Sequence, residues 1–305
     1  MRMGELLHCE GITKHLGKYC IRDISLNVAP GEIVGVVGVN GCGKTSLLKL
    51  ILGAYGLNPR TDDVAEITLA GKHFTRDQKE YRKKLAYVLA DNPFERGLTA
   101  ELVGELYGKY YDGYDKARYH ELLSRYGVDA GRRLSKLSTG QVLRVQLAFA
   151  FSHDAELYVM DEPCASLDPD FRETFYEELR KIAATETKAV ILSSHLVTEL
   201  ERIADRLLWM NKSEHEGTVR YFGDVDGLRE QYRMVSRGVS DLAELPQEMI
   251  VGKRIRENSH EALVWIRDAS AKEAFAGWLT PERESTVRYA DLQEIMLFTE
   301  KGGEV

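Results

Sequence analysis

The residues with the clearest chemical meaning stand together early in the chain, where Gly38–Ser46 reads GVNGCGKTS. Gly38 is followed after four residues by Gly43, Lys44 and Thr45. A loop that wraps a triphosphate must point successive backbone N–H groups inward, and Gly41 and Gly43 permit the dihedrals and the close approach this requires. Lys44 brings a positive charge to the β and γ phosphates, so it acts on the reacting group as well as binding it. Thr45 offers a hydroxyl to Mg²⁺, and a helix that follows directs its N-terminal dipole at the anion. Nucleotide contacts are therefore expected from Gly38, Asn40, Gly41, Cys42, Gly43, Lys44, Thr45 and Ser46. By itself this loop establishes nucleotide binding and nothing more.

A second set of groups ends an apolar run. Leu157–Glu162 reads LYVMDE, with two carboxylates at the end of a strand. Asp161 is placed to hold Mg²⁺, directly or through water. Glu162, one residue on, can orient and polarise an attacking water.

Between these two sites lies LSTGQ, Leu137–Gln141, followed by RVQLAFAF. Ser166–Asp168 reads SLD, and His195 follows the strand AVILSS. As a set, these motifs resemble the ATP-binding cassette family over roughly residues 5–225. The resemblance makes LSTGQ the signature, a serine-capped helix start that closes on the γ-phosphate of ATP held by the opposite protomer. Ser138, Gly140 and Gln141 then join the nucleotide contacts. Ser166–Asp168 becomes the loop that signals between paired sites, and His195 becomes a switch histidine. The implied activity is ATP hydrolysis with ATP and Mg²⁺, catalysed through Glu162, His195 and Lys44.

The chain departs from the family at three places. Thr139 replaces a usual glycine in the signature, so its side chain must point away from phosphate. The family has a glutamine near Ala90, yet LAYVLADNPF contains none, and Asp91 or Asn92 is left to contact water and Mg²⁺. Leu16 stands where a base-stacking aromatic belongs, with Tyr19 the nearest substitute. SHDAELYVMDEP and ADLQEIMLFTEKG are similar to the ATPases of bacterial bacitracin-, lantibiotic- and peptide-type exporters. That implies a cytoplasmic subunit on the inner face of the cell membrane, working with a second copy or a paralogue and with a separate permease. Two other readings stay open: a cassette ATPase without a permease, as in cluster assembly, and a nucleotide-dependent regulator that hydrolyses slowly.

Elements must exist to carry these groups. Ile33–Val37, Leu157–Met160 and Ala189–Leu192 are apolar at consecutive positions, as suits parallel strands buried on both faces. Lys44–Leu52 and Asp170–Ala184 read as helices between them. The expected fold is α/β, a P-loop NTPase with a RecA-like core over 1–225 and a helical subdomain at about 91–155. Residues 226–305 read as a small α/β appendage. Its strands are expected at Tyr232–Val239, Met249–Arg254 and Ala262–Ile266, and a helix at Ala271–Leu279. Asp291 and Glu294 read as a capping box opening a last helix.

The 305 residues carry a formal charge of −7. That balance argues against nucleic acid as the main partner, because phosphate binding favours basic faces. Cys9, Cys20, Cys42 and Cys164 are scattered without a CxxC pair, which argues against a zinc site or a disulfide framework. The start, MRMGELLHCEGITKH, lacks a signal peptide's apolar stretch, and no run of about 18 uncharged apolar residues occurs. Passage through a membrane is expected from another chain.

Overall fold

The computed structural model describes residues 4–58, 60–237, 242–256, 259–301 and 303–304. It divides into two compact units. The first runs to Leu196 and resumes at Ile203–Phe222; the second comprises Val197–Arg202 and the chain from Gly223 onward.

The first unit opens with two antiparallel strands, β1 (Leu7–Leu16) and β2 (Tyr19–Val28), whose register slips twice between Cys9 and Lys14. β3 (Ile33–Val37) is buried at all five positions and leads through the glycine loop into α1 (Lys44–Ile51). β4 (Val64–Leu69) and β5 (Lys72–His73) extend the antiparallel part, and α2 (Gln78–Lys83) returns the chain to β6 (Leu85–Val88). The helices α3 (Ala100–Tyr107), α4 (Lys116–Arg125) and α5 (Thr139–Ala150) follow, with Thr99, Asp115 and Ser138 as their N-caps. Phe149 of α5 packs among Phe94, Tyr111, Tyr114 and Tyr119, an aromatic core for this helical stretch.

β7 (Leu157–Asp161), α6 (Pro169–Ala183) and β8 (Ala189–Ser193) complete the α/β alternation. A short α7 (Val197–Leu200) belongs to the second unit; β9 (Arg206–Lys212) and β10 (Glu216–Asp224) follow it. The ten strands form one sheet in the order β5-β4-β1-β2-β10-β9-β3-β8-β7-β6. β9, β3, β8, β7 and β6 run parallel, so the ends of β3, β7 and β8 lie side by side. Ligands bind beyond the carboxyl ends of such strands. The glycine loop, the carboxylate pair and His195 leave the sheet there.

The second unit begins with α8 (Val225–Arg229) and β11 (Tyr232–Arg237). Gly238 and Val239, where the sequence extends this strand, lie outside the described residues. β12 (Ile250–Arg256) and β13 (Ser259–Trp265) pair antiparallel. Met249, expected to begin a strand, instead ends a 3₁₀ turn. α9 (Ala269–Trp278), α10 (Pro281–Glu284), β14 (Val287–Tyr289), α11 (Leu292–Lys301) and β15 (Gly303–Glu304) complete a sheet ordered β14-β11-β13-β12-β15. Val235, Ala262, Val264, Phe275 and Trp278 form its core. The expected capping box is present: Glu294 N–H donates to Asp291 Oδ1 at 2.7 Å, and Asp291 N–H to Glu294 Oε2 at 3.2 Å.

Candidate active site

The glycine loop needs its glycines for both shape and space. Gly38 has φ 146°, Gly41 78° and Gly43 105°. A Cβ on Gly43 would lie 2.3 Å from Ile21 Cγ2, and one on Gly38 would lie 2.4 Å from the Met210 carbonyl oxygen. Lys44 opens α1, buried, with its ammonium donating to the Gly38 carbonyl at 2.7 Å. A second cation sits on the outer edge, where Lys212 at the end of β9 donates to the Asn40 carbonyl at 3.2 Å. Sequence reasoning overlooked Lys212 because no motif marks it.

Asp161 ends β7, buried, and its two oxygens take two hydroxyl donors. Thr45 Oγ1 donates to Oδ2 at 2.8 Å and Ser193 Oγ to Oδ1 at 2.7 Å. A hydroxyl and a carboxylate oxygen in contact beside the glycine loop are hard oxygen donors of the kind Mg²⁺ takes. The residues present therefore fit that metal alongside a nucleotide.

Glu162 follows with φ 51°. A non-glycine residue held there costs about 1–3 kcal/mol, which the surroundings must offset. They do so from two sides. The Glu162 N–H donates to Ser193 Oγ at 3.0 Å, and Oε2 accepts the His195 backbone N–H at 3.1 Å. His195 Nδ1 also lies 2.6 Å from that oxygen. Thr45, Asp161, Ser193, Glu162 and His195 thus form one continuous hydrogen-bonded chain. Ser193 is its node, and sequence reasoning did not single it out. The signal was the serine pair at the end of a strand otherwise wholly apolar.

LSTGQ starts α5 with reciprocal caps. Gln141 N–H donates to Ser138 Oγ at 3.2 Å, and Ser138 N–H to Gln141 Oε1 at 3.1 Å. Ser138 and Thr139 are exposed. Gly140 abuts the SLD segment, since a Cβ there would lie 2.7 Å from the Ser166 carbonyl oxygen. Asp168 caps α6 by accepting the Phe171 N–H at 3.0 Å and pairs with Arg144 of α5. The Phe171 N–H first, with Arg144 beside it, holds the Asp168 carboxyl below its ordinary range.

A family model described as ABC transporter matches residues 21–165. The uncharacterized ABC transporter ATP-binding protein YdbJ of Bacillus subtilis is 30% identical over 224 residues, 72% of this chain and 70% of that protein. The Nod factor export ATP-binding protein I of Bradyrhizobium diazoefficiens is 31% identical over 253 residues, 75% of this chain and 80% of that protein. A solved structure of the ATP-binding subunit of an ABC transporter superposes with TM-score 0.64 at 25% identity, over 74% of this chain and 92% of that one. The chain belongs to the ABC transporter ATP-binding proteins. It is an ATPase whose cofactors are ATP and Mg²⁺.

Three residues of this ABC ATPase fall where the sequence left choices open. Asn92 is engaged in its own turn: its Nδ2 donates to the Phe94 carbonyl at 2.8 Å, and the Phe94 N–H donates to its Oδ1 at 3.3 Å. Asp91 is exposed and borders a cavity of about 270 Å³ with Thr139, Glu162 and Ser166. Tyr19 is half-buried against the core. A Cβ on Gly217 would lie 2.1 Å from the Cys42 carbonyl oxygen and 2.9 Å from the Tyr19 hydroxyl oxygen. Burial pushes that phenol up to about 12, and its oxygen meets no hydrogen-bond partner among the described residues. The structure thus brings Tyr19 to the phosphate loop, with its hydroxyl turned inward. Among the described residues, no helix is long and apolar enough to cross a membrane.

Proposed function

We propose that this ABC ATPase is the motor of an exporter, working as a pair of cassettes on a separate membrane permease. The carrying observation is the hydrogen-bonded chain from Thr45 through Asp161 and Ser193 to Glu162 and His195. It joins a phosphate loop, a hard-oxygen donor pair and a candidate base in one rigid unit.

In this reading Gly38–Ser46 binds the phosphates through backbone N–H groups, and Lys44 turns from the Gly38 carbonyl to the β and γ phosphates. Thr45 and Asp161 hold Mg²⁺, which supplies charge neutralisation at the phosphates when bound. Glu162 accepts a proton from the attacking water, and His195 keeps its carboxylate aimed. Asp91 faces the same site from across the cavity. Ser138, Gly140 and Gln141 act on nucleotide in the opposite protomer, a second copy or a paralogue. ATP bound between two such faces favours the closed pair, and charge separation after hydrolysis favours opening. Tyr19 lies beside the phosphate loop and is the aromatic proposed to meet the base.

The permease is proposed to dock against the first unit near Leu85–Leu98. A cavity of about 340 Å³ there is walled by Leu52, Leu85, Tyr87, Leu89, Pro93 and Tyr111. The cassette would then sit on the cytoplasmic face of the membrane. The cargo is proposed to be a peptide, antibiotic or other amphiphile, in keeping with the export role named for the Bradyrhizobium relative.

Glu162→Gln tests the chemistry. Turnover is expected to fall roughly 10²–10⁴-fold with ATP binding retained, and the variant should dimerise when ATP is added. Near-normal turnover would remove Glu162 from the role of base. Full turnover with no co-purifying membrane protein would favour the permease-free reading.

A further inference from the structure

Val39–Cys42, inside the glycine loop, makes a tight turn. The Cys42 N–H closes it by donating to the Val39 carbonyl at 3.2 Å, with Gly41 at φ 78° and Asn40 outside the positive-φ region. Positive φ at the third residue alone marks a type II turn. Types I and II can share the closing bond and differ in which way the central peptide faces, here Asn40–Gly41. That peptide has a holder. The Lys212 ammonium donates to the Asn40 carbonyl at 3.2 Å. Lys212 is the last residue of β9, a strand paired with β3 and passing so close to the loop that a Cβ on Gly38 would lie 2.4 Å from the Met210 carbonyl oxygen. A Cβ on Gly41 would lie 3.0 Å from the ammonium, so the bare glycine leaves Lys212 room to approach. Among the described residues Lys212 makes no ion pair, and the Gly41 N–H donates to no protein acceptor. The Asn40–Gly41 peptide is trans, so its C=O and N–H point in opposite directions. A carbonyl drawn outward to Lys212 therefore turns the Gly41 N–H inward.

We propose that Lys212 is a positioning residue for nucleotide binding. Its ammonium locks the Asn40–Gly41 peptide so that the Gly41 N–H, left open by the protein, meets the phosphates. The charge of Lys212 stays on the outer edge of the loop, unlike that of Lys44, which turns to the phosphates themselves. A lysine anchored at the end of a paired strand sets that peptide before nucleotide arrives, so binding need not reorient it. The inference rests on the phosphate-binding reading of Gly38–Ser46 given above.

Lys212→Met keeps an unbranched stem and removes the donor, whereas Lys212→Arg keeps a donor and the charge. Lys212 is exposed, so neither change disturbs the core. Full-length proteins are titrated with ADP in EDTA by calorimetry. In parallel, the Gly41 amide is followed by NMR in protein carrying isotope-labelled glycine, its resonance assigned by its loss in Gly41→Ala. In the wild type the Gly41 amide proton is expected to shift downfield when ADP binds, the mark of a hydrogen bond to an anion. Lys212→Met should weaken ADP about tenfold, as suits one lost hydrogen bond to a charged group. At saturating ADP its Gly41 proton should stay near the nucleotide-free position, and Lys212→Arg should recover most of both properties. Wild-type affinity in Lys212→Met would overturn the proposal. So would weakened binding with the Gly41 shift intact, because the ammonium would then act through its charge and not through the peptide. If Lys212→Met fails to fold, a wild-type Gly41 proton that does not move as ADP binds still refutes it. Failure of the phosphate-loop reading is recognised separately, by a wild-type protein that binds no ADP.

Discussion

His195 Nδ1 lies 2.6 Å from Glu162 Oε2, and the same oxygen accepts the His195 backbone N–H at 3.1 Å. The histidine therefore grips the carboxylate twice, once through a bond that does not depend on its side chain. His195→Ala is expected to keep the backbone bond and lose the ring contact. Turnover should fall by roughly 10²-fold while ATP affinity changes little. A steady-state ATPase assay beside equilibrium ATP binding checks this, and a drop confined to affinity would contradict it.

Ser193 carries two bonds at once, accepting the Glu162 N–H at 3.0 Å and donating to Asp161 at 2.7 Å. Alanine there leaves a main-chain donor unmet in the left-handed residue that most needs support. Ser193→Ala is expected to cost about 1–3 kcal/mol, read from urea unfolding, and to lower kcat more than its effect on KM. A cysteine at the same position, with a longer and weaker sulfur bond, should recover only part of the loss.

Much of this site was legible beforehand because its residues depend on local chemistry. A phosphate loop needs glycine at positive φ, and an acidic pair must sit at a strand end, so Gly38–Thr45, Asp161 and Glu162 show themselves in short strings. The buried strands showed as unbroken apolar runs. What stayed hidden depends on long-range approach. Ser193 matters because β7 and β8 lie side by side, and Lys212 because β9 ends beside the glycine loop. Neither neighbour is visible in a linear pattern. The antiparallel β1 and β2 were also missed, since slips of register between Cys9 and Lys14 interrupt the alternation that would announce them.

Gly140 is required by its neighbour as much as by its helix. A methyl group at this position would sit 2.7 Å from the Ser166 carbonyl oxygen, which as backbone cannot swing aside. Gly140→Ala is expected to push the SLD segment away from α5 and weaken the ion pair of Arg144 with Asp168. ATP binding by a lone protomer should survive, while ATP-dependent dimerisation of the Glu162→Gln background should be lost. Sedimentation of the double variant with ATP decides the matter, and an unaltered dimer would refute it.

Asp63 gives the first unit a defined response to acid. Its side chain is buried, and burial alone would raise its pKa. The Lys14 ammonium at 2.5 Å and the N–H groups of His15 and Asn58 at 2.8 and 2.9 Å outweigh that, with Thr61 adding a hydroxyl, and hold the carboxyl well below the ordinary range. A carboxylate whose folded pKa is depressed stabilises the fold fully above its unfolded pKa, about 3.9, and loses that contribution as pH falls below it. Asp63→Ala is therefore expected to cost about 3–5 kcal/mol near neutrality, because Lys14 is left buried and unpaired. Melting temperatures of wild type and variant, followed from neutrality down toward pH 3, should differ most at pH 6 and above and approach each other below about pH 4. A difference that stays constant across that range would show that the Asp63 charge contributes nothing and that only packing was lost.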